Sequence, residues 1–246
     1  MVGFGSGARM ATARLTKALL LLALALVAFI ALRDVQRRHP ERLPWTPLSL
    51  AAPIGPFTAA KITRLTRDAP RCRRLLRYAG AAFTALPPIT GPGCGYADGV
   101  RLQPGRGARF GPDAPAVACP VAAALLVWER EIVRPAALRH FGTAVTRIDH
   151  FGSFNCRRIA GSANWSEHAT ADAIDIAGFR LADGRRVRVL GDWAGPSKKS
   201  AFLRDIRDGA CGVFATVLSP DYNAAHADHL HLDHAARGMR GGQVCR

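Results

Sequence analysis

The first pattern along the chain is an unbroken apolar run from Ala18 to Leu32, preceded by Arg9, Arg14 and Lys17 with no acidic residue among them. Basic residues followed by such a run read as an export signal. At 15 residues it is a little short for a bilayer span, and its small-x-small triplet, Ala23 to Ala25, lies inside the run rather than after it. These features predict an uncleaved N-terminal anchor over residues 1–33. Arg33, Arg37, Arg38 and Arg42 offset the leading charges, so the charge rule does not orient the segment. Five prolines and no sustained apolar period between Asp34 and Pro56 predict a linker over 34–60, with one globular domain over 61–246.

Within that domain, Ala59 to Ala85 reads as short helix broken at Pro70, and Leu86 to Pro120 as a Gly- and Pro-rich loop region. Pro120 to Phe141 carries Ala124, Leu125, Trp128, Ile132 and Leu138 at helical spacing, which predicts a helix kinked at Pro135. Ser200 to Phe214 predicts a second amphipathic helix. Alternation over Ala144–Phe154, Ala173–Leu181 and Arg186–Leu190 predicts strands, the last two forming a hairpin, and a final strand is expected around His229–Asp233. The resulting fold class is α+β, an antiparallel sheet with helices packed on one side.

Cysteine usage bears on the compartment. Cys72, Cys94, Cys119, Cys156, Cys211 and Cys245 form an even set without a C-x-x-C pair, which suits disulfides in an oxidising, extracytoplasmic space. Six cysteines allow fifteen pairings, and all stay open at this point. The net charge of +16 is spread along the chain without a nucleic-acid-reading signature, so no nucleic acid is expected and a surface facing anionic lipid or an acidic wall polymer is the simpler account.

The chemistry concentrates in two segments. His226, His229, His231 and His234 fall within nine residues, and strand geometry projects His229, His231 and Asp233 together while Leu230 and Leu232 face the core. The complementary segment, Ser166 to Gly178, carries His168 on a turn and Asp175 on the following strand, where Ala173, Asp175 and Ala177 are expected to share a face. Two imidazoles and one carboxylate, with a fourth position open, are the ligand set of a catalytic rather than a structural zinc site. Asp233 or Ser166 is expected to anchor the second nitrogen of a ligating histidine. His39, His140 and His234 are expected to be solvated.

S-x-H-x-x-x-x-A-x-D followed by H-x-H resembles the metallopeptidase group that includes D-alanyl-D-alanine carboxypeptidases, lysostaphin-type endopeptidases and the hedgehog fold. Within it, Lys61 to Arg246 looks like the bacterial extensin-like C-terminal domain family, whose motifs stand at Ser166–Ala169, Ala173–Ile176, Gly178–Leu181, Thr216–Leu218 and Asp228–Asp233. The resemblance implies that His168, Asp175 and His231 hold Zn2+ and that His229 stands beside it. The His226-x-x-His229-x-His231 spacing also looks like that of penicillin-insensitive murein endopeptidases. Two positions depart from the carboxypeptidases, which have glycine at Ala171 and glutamate at Asp228.

The expected function is zinc-dependent hydrolysis of amide bonds in peptidoglycan cross-links or stem peptides, with His229, Asp228 and His226 handling the proton. The expected location is the periplasmic side of the inner membrane, held there by the N-terminal segment. The alternative class is a non-catalytic, metal-containing wall-binding module, which the shorter Asp228 keeps open. Arg147 and Arg157 are candidates for a substrate carboxylate.

Overall fold

The computed structural model describes residues 6–105, 107–235 and 242–246. The chain divides into two compact units, Met1–Pro47 and Leu48–Arg246. In the first, helix α1 (Ser6–Arg38) is long and apolar enough over Arg14–Arg38 to cross a membrane, by length and composition. A 3-10 turn at Pro40–Arg42 follows it, and the Thr46 hydroxyl donates to the carbonyls of Pro40 and Leu43.

The second unit opens earlier than the proline content of the linker predicts. Leu48 and Leu50 are buried in its core with Ile62, so apolar burial, and not proline spacing, sets where the compact unit begins. Helix α2 (Thr58–Thr63) runs through a 3-10 turn to Asp68, whose carboxylate caps α3 (Ala69–Tyr78) by accepting from the Arg71 amide at 3.0 Å. Pro70 therefore starts a helix instead of interrupting one.

The Gly- and Pro-rich region is not pure loop. It contains β1 (Phe83–Ala85), β2 (Ile89–Gly91), β3 (Cys94–Tyr96), β4 (Val100–Leu102), β5 (Arg109–Gly111) and β6 (Ala116–Val117). β1, β4 and β6 form one small sheet and β2 and β3 a hairpin. Cys72–Cys119 ties α3 to the next helix, Cys94–Cys156 ties that hairpin to a later loop, and Cys211–Cys245 holds the C-terminal strand. Cys94 and Cys156 are 62 residues apart. Replacing both by serine is expected to lower unfolding free energy by about 4 kcal/mol on the chain-entropy account, read by chemical denaturation.

Helix α4 (Cys119–Trp128) is buried on almost every side, not amphipathic, because other elements surround it. It continues through a π turn at Glu129–Val133 into α5 (Arg134–Phe141), which ends at a left-handed Gly142. Pro135 offers no amide to the preceding turn, and the widened turn accommodates it where a kink was expected.

The main sheet comprises β7 (Val145–Gly152), β8 (Ala173–Leu181), β9 (Arg186–Arg188), β10 (Thr216–Leu218), β11 (Leu230–Asp233) and β12 (Val244–Cys245), with β5 at its edge. Strands run in the order β12-β10-β11-β8-β7-β5, and β9 pairs with the C-terminal half of β8. The inner pairs are antiparallel; β5 and β12 lie parallel to their neighbours. Between β9 and β10 come a short turn, α6 (Val189–Asp192), and helix α7 (Lys198–Ala210), capped by Ser197.

One face of the sheet makes the core. Ile148, Ile174, Ile176, Phe179, Leu181, Leu230 and Leu232 are buried with Trp128, Phe202, Leu203 and Ile206 from the helices. Phe179 meets Phe202 edge-on at 5.2 Å, and the Trp128 indole donates to the Ile206 carbonyl at 2.9 Å. Gly209 permits this packing, since a Cβ there would come within 2.4 Å of Ile132. The sheet's opposite face carries Asp175 and His231.

Candidate metal centre

Strand parity builds the site. On β8, Ile174 and Ile176 point to the core, which turns Asp175 to the other face; on β11, Leu230 and Leu232 do the same for His231. Asp175 and His231 are direct register partners, so pairing the two strands puts their side chains side by side. Parity changes further along β8, where the core residues become Phe179 and Leu181. Ala177 is skipped in the pairing with β7, as a β-bulge, and so does not continue the face of Asp175.

His168 enters from a 3-10 turn, Glu167–Thr170, between β7 and β8. Ser166 caps that turn by accepting from the His168 amide at 3.3 Å, and Ala171 closes it with φ 59°, a left-handed conformation that glycine adopts more readily. His168 is 3% exposed. Its Nε2 lies 3.2 Å from Asp175 Oδ1 and 3.2 Å from His231 Nδ1, and His231 Nδ1 lies 3.0 Å from Asp175 Oδ1.

This triangle suits a cation. Donor atoms about 2.05 Å from a tetrahedral zinc ion stand about 3.3 Å from one another, close to the three separations here. The remaining ring nitrogens are anchored, as ligating imidazoles require. His168 Nδ1 sits 2.6 Å from the Ser153 carbonyl oxygen, and His231 Nε2 sits 3.1 Å from Asp233 Oδ2. Asp233 thus has its expected place, whereas Ser153, through a backbone group, takes the role expected of Ser166. Among the described residues His168, Asp175 and His231 form a group able to hold a metal ion.

Electrostatics agree with the geometry. Burial opposes the charge of Asp175, but hydrogen bonds from His168 and His231 outweigh it and hold the carboxyl well below the usual carboxylate range. Burial likewise opposes a charged His231, yet the carboxylates of Asp175 and Asp233 at its two nitrogens push it up to about 9. A proton shared among such donors is what a divalent cation displaces.

His229 stands just outside the triangle. Its Nε2 is 3.5 Å from Asp175 Oδ1, while its Nδ1 is 2.8 Å from Asp228 Oδ1. Asp228 therefore orients the imidazole and leaves Nε2 facing the site. His226 packs against His229 and His231, with ring centroids 5.1 and 6.0 Å away. Burial, then the charges of His229 and His231, push it down to about 4, so it stays neutral near pH 7. Exposed Phe151 meets His229 edge-on at 6.0 Å, and exposed Tyr222 meets His226 at 5.5 Å. These rims were not anticipated from the sequence, because Phe151 and Tyr222 carry no motif of their own.

The profile of the extensin-like protein C-terminus family matches residues 70–246. The chain belongs to this family. No curated protein and no solved structure matches it. The extensin-like region thus contains all three residues of the group able to hold a metal ion, together with His226, Asp228 and His229.

Other histidines in the extensin-like region serve the fold. His234, expected to be solvated, is 1% exposed: its Nδ1 bonds the Thr63 hydroxyl at 3.0 Å and its ring packs on Phe214 at 5.3 Å, because the chain turns inward after β11. Burial pushes it down to about 4. His140 is half-buried against Asp205 at 2.8 Å. His39, outside this region, is exposed as expected and pairs with Glu41 at 3.2 Å. His150 bonds the Asp113 carbonyl at 2.9 Å, away from the metal ligands. The Arg158 guanidinium lies 4.5 Å above the Trp165 ring.

Asp172 is a cost the site region carries. Burial, then the charges of Asp98 and Glu167, push it up to about 8 from 3.8, and its Oδ1 is buried without a hydrogen-bond partner among the described residues. The folded chain keeps a proton that the unfolded chain releases, so this group lowers stability as pH rises through the window from 3.8 to about 8. Asp172→Asn is expected to raise stability at pH 7 by up to about 4 kcal/mol and to flatten its pH dependence across that window, measured by urea denaturation at a series of pH values.

Proposed function

We propose that this protein is a zinc-dependent amide hydrolase acting on peptidoglycan cross-links or stem peptides from the outer side of the inner membrane. The observation that carries the reading is the pairing of a three-donor metal centre with an oriented imidazole that lies beside it and outside it. A structural site closes with four protein ligands; three donors plus a neighbouring base suit hydrolysis. The resemblance to zinc metallopeptidases supports the same reading.

His168 Nε2, Asp175 Oδ1 and His231 Nδ1 would hold the ion. When bound, zinc supplies Lewis acidity, polarising an amide carbonyl and making water a competent nucleophile near neutral pH. His229 Nε2 accepts the proton of the attacking water and returns it to the departing amine. Asp228 stabilises the imidazolium formed in between, as a carboxylate on the far nitrogen does. Neutral His226 packs against His229 and helps hold its ring in place. The exposed rings of Phe151 and Tyr222 flank the two histidines and line the approach for substrate. A cation beside it, Arg157, disfavours protonation of His226 and can receive a substrate carboxylate.

The apolar N-terminal helix and the three disulfides support an oxidising compartment outside the cytoplasm. The test is muropeptide release from purified sacculi by the full chain in neutral detergent. Chelator-sensitive release of stem-peptide fragments supports the hydrolase. Sedimentation with sacculi without any release would move the assignment to a metal-containing wall-binding module.

A further inference from the structure

The solvent face of the sheet carries a second arrangement that the metal centre does not use. Arg109 on β5 is the register partner of Arg147 on β7; Arg147 is the partner of Arg180 on β8; Arg180 is the partner of Arg186 on β9. Four arginines thus stand in one line across four adjacent strands. The neighbouring line is Phe110, Ile148, Phe179 and Val187, of which the last three are buried in the core, so strand pleating puts the arginines on the opposite face. Asp175 lies on that same face of β8, about 15 Å of strand away.

The line on the other side consists of Gly111, Asp149, Gly178 and Arg188. Its glycines keep the surface low: a Cβ on Gly111 would fall within 2.2 Å of the Arg147 side chain, which lies across it. Asp149 is the one carboxylate in the two lines, and it bridges Arg147 and Arg180, 2.5 and 3.2 Å from their Nε atoms. Arg109, Arg186 and Arg188 make no side-chain hydrogen bond or ion pair among the described residues. At the β5 end the row runs into a cleft of about 770 Å³ lined by Arg109, Arg147, Arg130 and Arg134 together with Phe110 and Glu129.

Like charges on paired strand positions oppose folding, and nothing in the core requires arginine at these surface positions. Arranged so, the row finds its compensation in an anion. The row has about 4.8 Å between neighbours and spans about 14 Å, whereas a single carboxylate or phosphate engages one or two guanidinium groups. We propose that the solvent face of β5, β7, β8 and β9 binds a linear acidic polymer, with about 5 Å between its anionic groups, through Arg109, Arg147, Arg180 and Arg186. The proposal is independent of the hydrolase reading, since none of these arginines touches the metal donors.

The test is anisotropy of fluorescein-labelled polyglutamate with the full chain in neutral detergent, repeated with labelled polyphosphate to tell carboxylate from phosphate recognition. Arg109→Gln/Arg186→Gln removes the two ends of the row, where no partner is lost. It is expected to weaken binding at least about tenfold and to reduce the slope of log affinity against log salt by about two. Arg71→Gln/Arg74→Gln on α3 makes the same change in net charge elsewhere and is expected to leave affinity within about twofold, and His168→Ala should bind as the wild type does. Equal losses in the two double variants, or no binding of either polymer at low salt, would overturn the proposal. Wild-type chain that binds polymer but releases no muropeptide would count against the hydrolase alone.

Discussion

His229→Ala is expected to lower the rate of muropeptide release by about 10²–10⁴ while the protein keeps its metal. The expectation follows from position. His229 Nε2 reaches to 3.5 Å from Asp175 Oδ1, yet the residues that form the metal-holding group are His168, Asp175 and His231. In the proposed mechanism, removing the imidazole that moves protons costs the transition state and leaves the metal-holding group whole. Asp228→Asn should fall between the two proteins, because the amide still bonds His229 Nδ1 but no longer stabilises its charge. Assays of initial rate and metal content on the same samples check both. A His229→Ala protein that loses its metal would make His229 a ligand and remove the proposed base.

The second large effect is expected at the donors. His168→Ala or Asp175→Asn should reduce metal affinity by more than about 100-fold, since changes to outer partners of ligands already cost about 10–100-fold. Asp233→Asn, which alters only the anchor on His231 Nε2, should fall in that milder range. Competition with a chromogenic chelator reads all three. The apo proteins should remain folded, because the disulfides and the core of Leu230, Leu232, Ile174 and Ile176 do not depend on the ion. Equal affinity in His168→Ala and wild type would place the metal elsewhere.

The grouping of His168, Asp175 and His231 was legible in the sequence because they lie on or beside strands whose alternation with Ile and Leu is unambiguous. Leu230-His231-Leu232 and Ile174-Asp175-Ile176 each announce which face the polar residue takes, and the register then brings the two together. His229, two residues before His231, lies just outside β11 and still stands beside the group. The Ser153 carbonyl on His168 was not legible, since every residue has a carbonyl and only the folded loop selects one. The skipped Ala177 left a trace, the shift of apolar residues from 174 and 176 to 179 and 181, which alternation alone does not interpret.

Burial defeated composition in three places. His234 reads as a surface residue after a strand, but it fills space against Phe214. Leu48 and Leu50 sit among prolines and still join the core. Helix α4 shows a charged stripe only beyond its end, at Glu129, Arg130 and Glu131, because it is enclosed by the rest of the unit. The three disulfides and the arginine row share one further limit: each depends on which distant segments become neighbours, and local pattern carries no record of that.

The central claim is a three-donor metal centre with an imidazole base beside it. The most direct measurement is metal content and zinc-edge X-ray absorption of the full chain, with His229→Ala alongside wild type. The account predicts one zinc per chain in both proteins, bound by two imidazoles and oxygen donors without sulfur. No bound zinc, or a third imidazole lost in His229→Ala, would contradict it.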